Sequence, residues 1–261
     1  MIVRVYSSAL LGVDGIEVEV EVSAFNAEKP AINVVGLPDA AVRESSQRVT
    51  SALTTSALSW ADGVKTINLA PADLKKEGPR FDLPIALALA ETAGAECIIE
   101  PERYSMIGEL ALDGMVRPVR GVLSMALEAK RRGRTRLIVP AANAAEAAVV
   151  EGLEVYGVDN LRQAWDFITG QRVLAPYELD RKRLFDTRRH YEVGLEDVRG
   201  QHQVKRALEV AAAGGHNLLM VGPPGTGKSM IAKRLPTILP DLTEAEAIDS
   251  TKVHSISGLL G

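Results

Sequence analysis

Hydrophobic and polar residues alternate along the first part of the chain. Residues 2–11 are followed by a Val13-Asp14-Gly15 turn and then by residues 16–22, in which valine or isoleucine alternates with glutamate. A period of two places the apolar side chains on one face of a strand and the acidic ones on the other. The pattern predicts a β-hairpin with one buried face.

The pattern then changes to alternating helices and strands. A strand at 31–35 ends at Gly36-Leu37-Pro38, and Asp39 opens a helix that reaches about residue 58. Residues 83–93 are rich in alanine and apolar apart from Glu91 and Thr92, which is typical of a buried helix. The other predicted elements are strands at 65–69, 105–112, 137–139 and 153–158, and helices at 122–132, 143–150 and 161–168. Residues 1–170 are therefore expected to form a mixed α/β domain.

The regular pattern lapses after residue 170. Residues 171–190 contain the charged stretch 181–189 and are predicted to be a linker. Beyond it the sequence predicts a helix at 201–213, an apolar strand at 216–221, and helices at 228–235 and 243–250. Residues 191–261 number about 70, which is short for an α/β module. We expect them to be the first part of a longer module.

Composition limits the class of protein. The chain has 261 residues with 30 Lys+Arg and 34 Asp+Glu, a net charge of −4, and 46% hydrophobic residues. These values exclude a disordered tail and a strongly basic nucleic-acid binder of the histone kind. Cys97 is the single cysteine, which excludes an intrachain disulfide and suggests a small core residue. With no uncharged apolar run of 18 residues, we expect a soluble cytoplasmic protein.

One motif carries clear chemistry. The pattern G-x-x-x-x-G-K-[ST] of a P-loop, or Walker A motif, fits Gly222-Pro223-Pro224-Gly225-Thr226-Gly227-Lys228-Ser229. It follows the apolar strand and precedes a helix, as a phosphate-binding loop requires. We predict that it binds ATP, with Lys228 at the β- and γ-phosphates and the Ser229 hydroxyl on Mg²⁺.

Hydrolysis also requires an acidic residue at the end of a second strand. No such strand is predicted between residues 229 and 261, where the acids lie in helical or loop patterns. We therefore expect no catalytic residue in this chain and poor ATP turnover by the chain alone.

The segments around the P-loop resemble the AAA+ module of magnesium-chelatase-like ATPases, and the whole chain resembles the YifB/ComM family. The most specific pieces are Val35-Gly36-Leu37-Pro38, Lys76-Glu77-Gly78-Pro79-Arg80-Phe81-Asp82-Leu83-Pro84, Gly108-Glu109-Leu110-Ala111-Leu112-Asp113-Gly114 and residues 211–229. The resemblance implies a Lon-protease-like domain, of the ribosomal S5 domain 2-like fold, at 1–170. An incomplete P-loop AAA+ α/β module would follow at 191–261. It also implies that Val198, Gly200 and Gln201 lie beside the adenine.

The resemblance to Lon raises the question of peptidase activity. In the Lon pattern the nucleophilic serine follows a Gly-Pro pair, but Gly78-Pro79 is followed by Arg80, and Leu123 stands at the position of the dyad lysine. Without a nucleophile and its base, acyl transfer has no route, so we expect no protease. Arg80 and Asp82 are expected to pair in a structural salt bridge, the alternative being a retained pocket.

The resemblance implies a homo-hexameric ATPase that acts on single-stranded or branched DNA, because ComM-like proteins are branch-migration motors. The alternative from another class is a nucleotide-gated adaptor or chaperone-like ATPase that binds a protein partner. Two basic runs, 130–136 and 181–189, could contact nucleic-acid phosphates. The first could equally be a solvated helix end and the second a charged connector.

Overall fold

The computed structural model describes residues 1–180 and 193–260. They fall into two compact units, the first made of residues 1–179 and 249–260 and the second of residues 180 and 193–248. Residues 181–190 of the linker predicted at 171–190 lie outside the described residues, and the boundaries 1–170 and 191–261 stay predictions.

A four-stranded sheet opens the first unit. Its strands are β1 Ile2–Leu11, β2 Asp14–Phe25, β3 Ala31–Val35 and β4 Val64–Ala70, in the order β1-β2-β4-β3. β1 and β2 form the predicted antiparallel hairpin, with Val3 opposite Val22 and Val5 opposite Val20. The alternation of the sequence is visible in the burial, because the valines are enclosed. β3 is parallel to β4 at the edge.

Two helices cover this sheet. α1 Ala40–Thr55 begins where predicted, because the Asp39 carboxylate accepts a hydrogen bond from Val42 N at 2.8 Å. α2 Asp82–Glu91 has no solvent-facing stripe, since each residue from 82 to 90 is buried among α1, the helix Leu161–Ile168, β1 and β2. The uniformly apolar sequence thus produces the predicted buried helix.

A second, parallel sheet follows. Its strands are β5 Tyr104–Met106, β8 Arg136–Pro140 and β9 Glu154–Val158, in the order β5-β8-β9. The helices are α3 Val122–Arg131, α4 Ala144–Ala147 and α5 Leu161–Ile168.

The prediction of a single strand at 105–112 is wrong. The strand is interrupted after β5, and a separate short pair forms from β6 Glu109–Leu110 and β7 Val116–Arg117. The reason is Gly108, whose N–H donates to Arg80 O and whose carbonyl accepts from Leu83 N. These bonds draw the backbone away from the sheet. The helix predicted at 143–150 is also shorter, with a 3₁₀ turn before α4.

The described residues after 193 contain α6 His202–Gly214, α7 Lys228–Ala232 and α8 Glu244–Ser257. The helices predicted at 201–213, 228–235 and 243–250 are present with shifted ends. The strand predicted at 216–221 is not formed, and Leu219 and Val221 are 86% and 87% exposed. A strand needs a neighbour for its backbone groups, and the described part of the second unit holds none.

Two further findings concern surface residues. Cys97 is exposed, so its prediction as a core residue is wrong. In the part of the chain that the structure describes, every helix is too short or too polar to cross a lipid bilayer.

Candidate nucleotide-binding site

The P-loop wraps around the side chain of its own lysine. Gly225 and Gly227 have φ of 81° and 83°, a conformation that glycine adopts without strain. The Lys228 ammonium is thereby enclosed by neutral oxygens of the loop, namely Gly222 O at 2.7 Å, Pro223 O at 2.7 Å and Thr226 Oγ1 at 3.2 Å. Its positive charge has no carboxylate within 4.0 Å among the described residues. An anionic ligand could therefore supply the missing negative charge.

The start of α7 adds hydrogen-bond donors. The first hydrogen bond that closes a turn of this helix runs from Ile231 N to Gly227 O at 2.9 Å. The N–H groups of Lys228, Ser229 and Met230 precede it and have no acceptor within the helix. Backbone donors beside a glycine-rich loop and a lysine form an arrangement that suits phosphate oxygens.

Ser229 is exposed at the start of α7. Within residues 1–180 and 193–260, no group of three or more His, Cys, Asp or Glu side chains could hold a metal ion. A Mg²⁺ ion bound at Ser229 would consequently need further oxygens from the phosphates. The residues present fit a metal that arrives with its nucleotide and not a resident metal centre.

A cleft of about 450 Å³ lies between the P-loop and the segment before α6. Val198 and Gln201 line it from one side, and Gly225, Thr226 and Gly227 from the other. An adjoining cleft of about 470 Å³ is lined by three further P-loop residues, Gly222, Pro223 and Lys228, again with Gln201. The structure thus brings together most of the predicted site residues. Gly200, Pro224 and Ser229 do not line either cleft.

A small apolar core holds the two walls of the cleft in place. Leu195 begins the 3₁₀ turn Leu195–Asp197, and Val198 follows it directly. Both side chains pack against Leu208 of α6 and Ile231 of α7. The family resemblance implies a contact between Val198 and adenine, whereas Val198 is only 3% exposed. Its contribution to the cleft is consequently the position of the backbone around it.

Arg234 is a positioning residue that the sequence analysis missed. Its Nε donates to Gly194 O at 2.8 Å, and its Nη2 lies 3.6 Å from the Asp197 carboxylate. These contacts tie the end of the α7 region to the segment that carries Val198. The only sequence signal is a basic residue six positions after Lys228, which is too common a feature to select.

In the first unit, Arg80 and Leu123 are the residues that the resemblance aligns with the two positions of the Lon dyad. Leu123 is fully buried, and Arg80 Nη1 contacts Met125 Sδ at 3.7 Å, so the two segments are adjacent. The predicted salt bridge between Arg80 and Asp82 is wrong. Asp82 pairs instead with Arg48, at 2.8 Å to Nε and 3.0 Å to Nη2.

The basic run 130–136 is largely neutralised by ion pairs. Arg131 and Arg132 share the buried carboxylate of Glu128, and Arg134 pairs with Glu17 at 2.9 Å. Arg136 pairs with Glu154 and Glu100. This arrangement favours a structural role for the run. The second basic run, 181–189, lies outside the described residues.

Comparison with known proteins identifies two segments of one family. Residues 18–143 match the family described as subunit ChlI of Mg-chelatase, and residues 194–261 match magnesium chelatase, subunit ChlI. The protein YifB of Escherichia coli is 42% identical over 253 residues, which are 97% of this chain and 49% of YifB. The competence protein ComM of Haemophilus influenzae is 40% identical over the same number of residues, again 97% of this chain and 49% of ComM.

A more distant similarity concerns the Lon proteases. The human mitochondrial Lon protease homolog is 33% identical over 96 residues, 35% of this chain and 10% of that protein. This similarity agrees with the mixed α/β architecture of the first unit. The chain spans about half the length of YifB and ComM.

Proposed function

The chain belongs to the magnesium chelatase ChlI family, together with YifB and ComM, and on this premise we propose that it binds ATP with Mg²⁺ as part of an AAA+ ATPase. The observation that carries the proposal is the P-loop itself, in which a lysine without a carboxylate partner lies against a glycine-rich turn. A chance turn would have no reason to hold a cation in this way.

Each part of the site has a role in this proposal. Lys228 neutralises phosphate charge, the N–H groups at the start of α7 donate to phosphate oxygens, and Ser229 contributes its hydroxyl to Mg²⁺. Val198 and Gln201 form the wall against which the base lies, and Gly200, which lines neither cleft, lies in the backbone between them. Bound ATP supplies a phosphoanhydride bond whose hydrolysis releases free energy for mechanical work.

For the whole protein we propose a cytoplasmic, hexameric motor that acts on single-stranded or branched DNA. Support comes from the similarity to the competence protein ComM and from the order of the segments, with the Lon-like one preceding the P-loop. We propose no peptidase activity, because arginine and leucine stand at the two dyad positions. The second candidate is a nucleotide-gated adaptor. It is favoured because a Lon-like unit without a nucleophile is suited to binding a partner and not to cleaving it.

Substitution of the P-loop lysine tests the nucleotide proposal. Lys228→Ala removes a charge-assisted contact to phosphate, which lowers affinity about 10- to 150-fold. A fluorescent ATP analogue is titrated into the wild type, into Lys228→Ala and into Lys233→Ala, an exposed lysine just after α7 that serves as the matched control. Equal dissociation constants for all three proteins would refute the P-loop assignment.

DNA distinguishes the two candidates for the whole protein. Phosphate release by the full-length protein is measured with and without single-stranded and branched DNA. We expect DNA to stimulate phosphate release. If no DNA changes the rate but a protein partner does, the motor proposal is wrong and the adaptor proposal is supported.

A further inference from the structure

Arg80 is a cation packed into the first unit without an ionic partner among residues 1–180 and 193–260. It lies in the 3₁₀ turn Pro79–Phe81, and its Nη1 donates only to the thioether sulfur of Met125, a weak acceptor. Its Nε is inaccessible to solvent and has no hydrogen-bond partner among the described residues. Burial lowers the pKa of this guanidinium. An incompletely paired guanidinium in such a place is costly and calls for an explanation.

The nearby carboxylates are engaged elsewhere. Asp39 and Glu77 are near enough to favour the charged form of Arg80, but neither forms an ion pair with it within 4.0 Å in the described part of the chain. Asp39 Oδ2 accepts a hydrogen bond from Gly78 N at 3.1 Å. Glu77 Oε1 lies 2.8 Å from Lys75 Nζ. Arg80 therefore retains donors that no described side chain uses.

Those donors form one edge of the guanidinium. Nε–H and the adjacent N–H of Nη2 are parallel, which is the geometry that binds two oxygens of a carboxylate or phosphate. Gly78 borders this edge, since a Cβ on Gly78 would lie 3.8 Å from Nη2 and 3.9 Å from Nε of Arg80. Apart from the chain neighbours of Gly78, no other described heavy atom would lie within 4 Å of that Cβ.

A side chain at position 78 would therefore lie in contact with this edge, and glycine leaves the place of its Cβ empty. Its φ of 77° with ψ of 168° is a conformation that side chains with a Cβ avoid. The backbone bend at Gly78 requires glycine. It lies beside the edge of the Arg80 guanidinium that lacks an acceptor.

We propose that Arg80 and Gly78 form a binding site for an oxyanion, a phosphate or carboxylate group, in the first unit. The oxyanion approaches past Gly78 and accepts a hydrogen bond from Nη2 of Arg80, and a shift of the Gly78 backbone brings it to Nε, which is closed to solvent in the unliganded chain. It supplies the negative charge that Asp39 and Glu77 withhold. This site is separate in sequence from the P-loop, and its existence does not depend on nucleotide binding at Lys228.

The test observes Arg80 directly in a protein whose P-loop has lost its lysine. Inorganic phosphate and, in a second arm, acetate are titrated into the Lys228→Ala protein while arginine Nε–H resonances are recorded by NMR, with chloride at matched ionic strength as reference. The Arg80 resonance is assigned by its loss in Lys228→Ala with Arg80→Lys. We expect a saturable shift of that resonance.

Variants give a second readout. Phosphate should raise the unfolding temperature of Lys228→Ala, and with Arg80→Gln added its affinity should fall about 10- to 150-fold. With Arg117→Gln added, an exposed arginine of β7, the affinity should be unchanged. A response to phosphate alone identifies a phosphate-bearing ligand, and a response to acetate as well extends the class to carboxylates. An Arg80 resonance that neither anion moves beyond the chloride reference overturns the proposal, even if Arg80→Gln fails to fold.

Discussion

The pair Arg48 and Asp82 shows how one buried charge is held at the start of α2. The Asp82 side chain is fully buried and accepts three hydrogen bonds, two from Arg48 and one from Leu110 N at 3.2 Å. The carboxylate therefore joins α1, α2 and β6. Removal of one partner of a buried pair leaves a charge without compensation, which costs more than the pair contributes.

We expect Arg48→Met to lower the free energy of unfolding of the first unit by about 3 to 5 kcal/mol. The measurement is denaturant unfolding followed by far-UV circular dichroism. Arg43→Met, on the same helix but exposed, is the matched control and should change stability little. If the two substitutions have equal effects, the ion pair has no special importance.

The pH dependence of stability tests the charge state of the same group. Burial raises the pKa of Asp82 from 3.8 to about 6, although Arg48 and Leu110 N oppose the rise. The folded chain then binds this proton more tightly than the unfolded chain, so the stabilisation from this group is full below pH about 4 and is lost as the pH rises through about 6.

Relative to Asp82→Asn, the wild type should accordingly lose stability between pH about 4 and about 7. Unfolding free energies of both proteins across that range give the difference directly. If the wild type instead gains stability relative to Asp82→Asn as the pH rises, then the ion pair with Arg48, and not burial, determines the pKa of Asp82.

At this scale the sequence predicts some side chains and misses others. Asp39 was predicted as the start of α1 because helix caps are local. The partner of Asp82 could not be predicted, because Arg48 is 34 positions away and only the fold brings α1 against α2. Arg80, two positions before Asp82, was the nearest candidate by sequence alone.

At the scale of elements, the loop before α6 and the region after α7 are tied together by Arg234. Its bonds to Gly194 O and its proximity to Asp197 hold the segment that lines one wall of the cleft. The P-loop lies on the opposite wall. The geometry of the cleft thus depends on a residue that does not line it.

We expect Arg234→Met to weaken ATP binding several-fold while the P-loop itself stays intact. Hydrogen exchange of residues 194–201 should become faster, because two restraints on the segment are lost. Binding of inorganic triphosphate, which needs no base contact, should be unaffected and serves as the internal control. Equal losses for triphosphate and ATP would mean that Arg234 acts on the P-loop directly.

The elements that the sequence predicted wrongly share a physical cause. The hairpin and α1 are encoded by local periodicity and α2 by a local apolar run, and all three were predicted with nearly correct ends. The wrong predictions depend on partners elsewhere in the chain. A strand at 216–221 would need ladder bonds to a neighbouring strand, and the strand predicted at 105–112 is interrupted by the hydrogen bonds of Gly108. Apolar composition predicts burial, but pairing decides whether a strand forms.

At the scale of the whole molecule, the residues expected to bind nucleotide are distinct from the groups that its hydrolysis needs. In the described residues after 193, the acids Glu244, Glu246 and Asp249 lie on α8, and no strand ends in paired acids. Turnover in P-loop enzymes needs such an acid to hold Mg²⁺ and position water. Under the proposed function the cleft binds nucleotide, and the described residues around it lack the groups that would activate water.

We expect the 261-residue chain to bind ATP, to release phosphate no faster than background, and to be monomeric or weakly associated. In AAA+ rings an arginine from a neighbouring subunit completes the site, and an arginine supplied in trans contributes about 10³- to 10⁵-fold in rate. The full-length protein should assemble with nucleotide and hydrolyse it. Light scattering and phosphate release on both proteins provide the measurement, with Lys228→Ala of each as the blank. A stable hexamer or Lys228-dependent turnover by residues 1–261 alone would show that the catalytic groups lie within this chain, and that the acids of α8 have been misjudged.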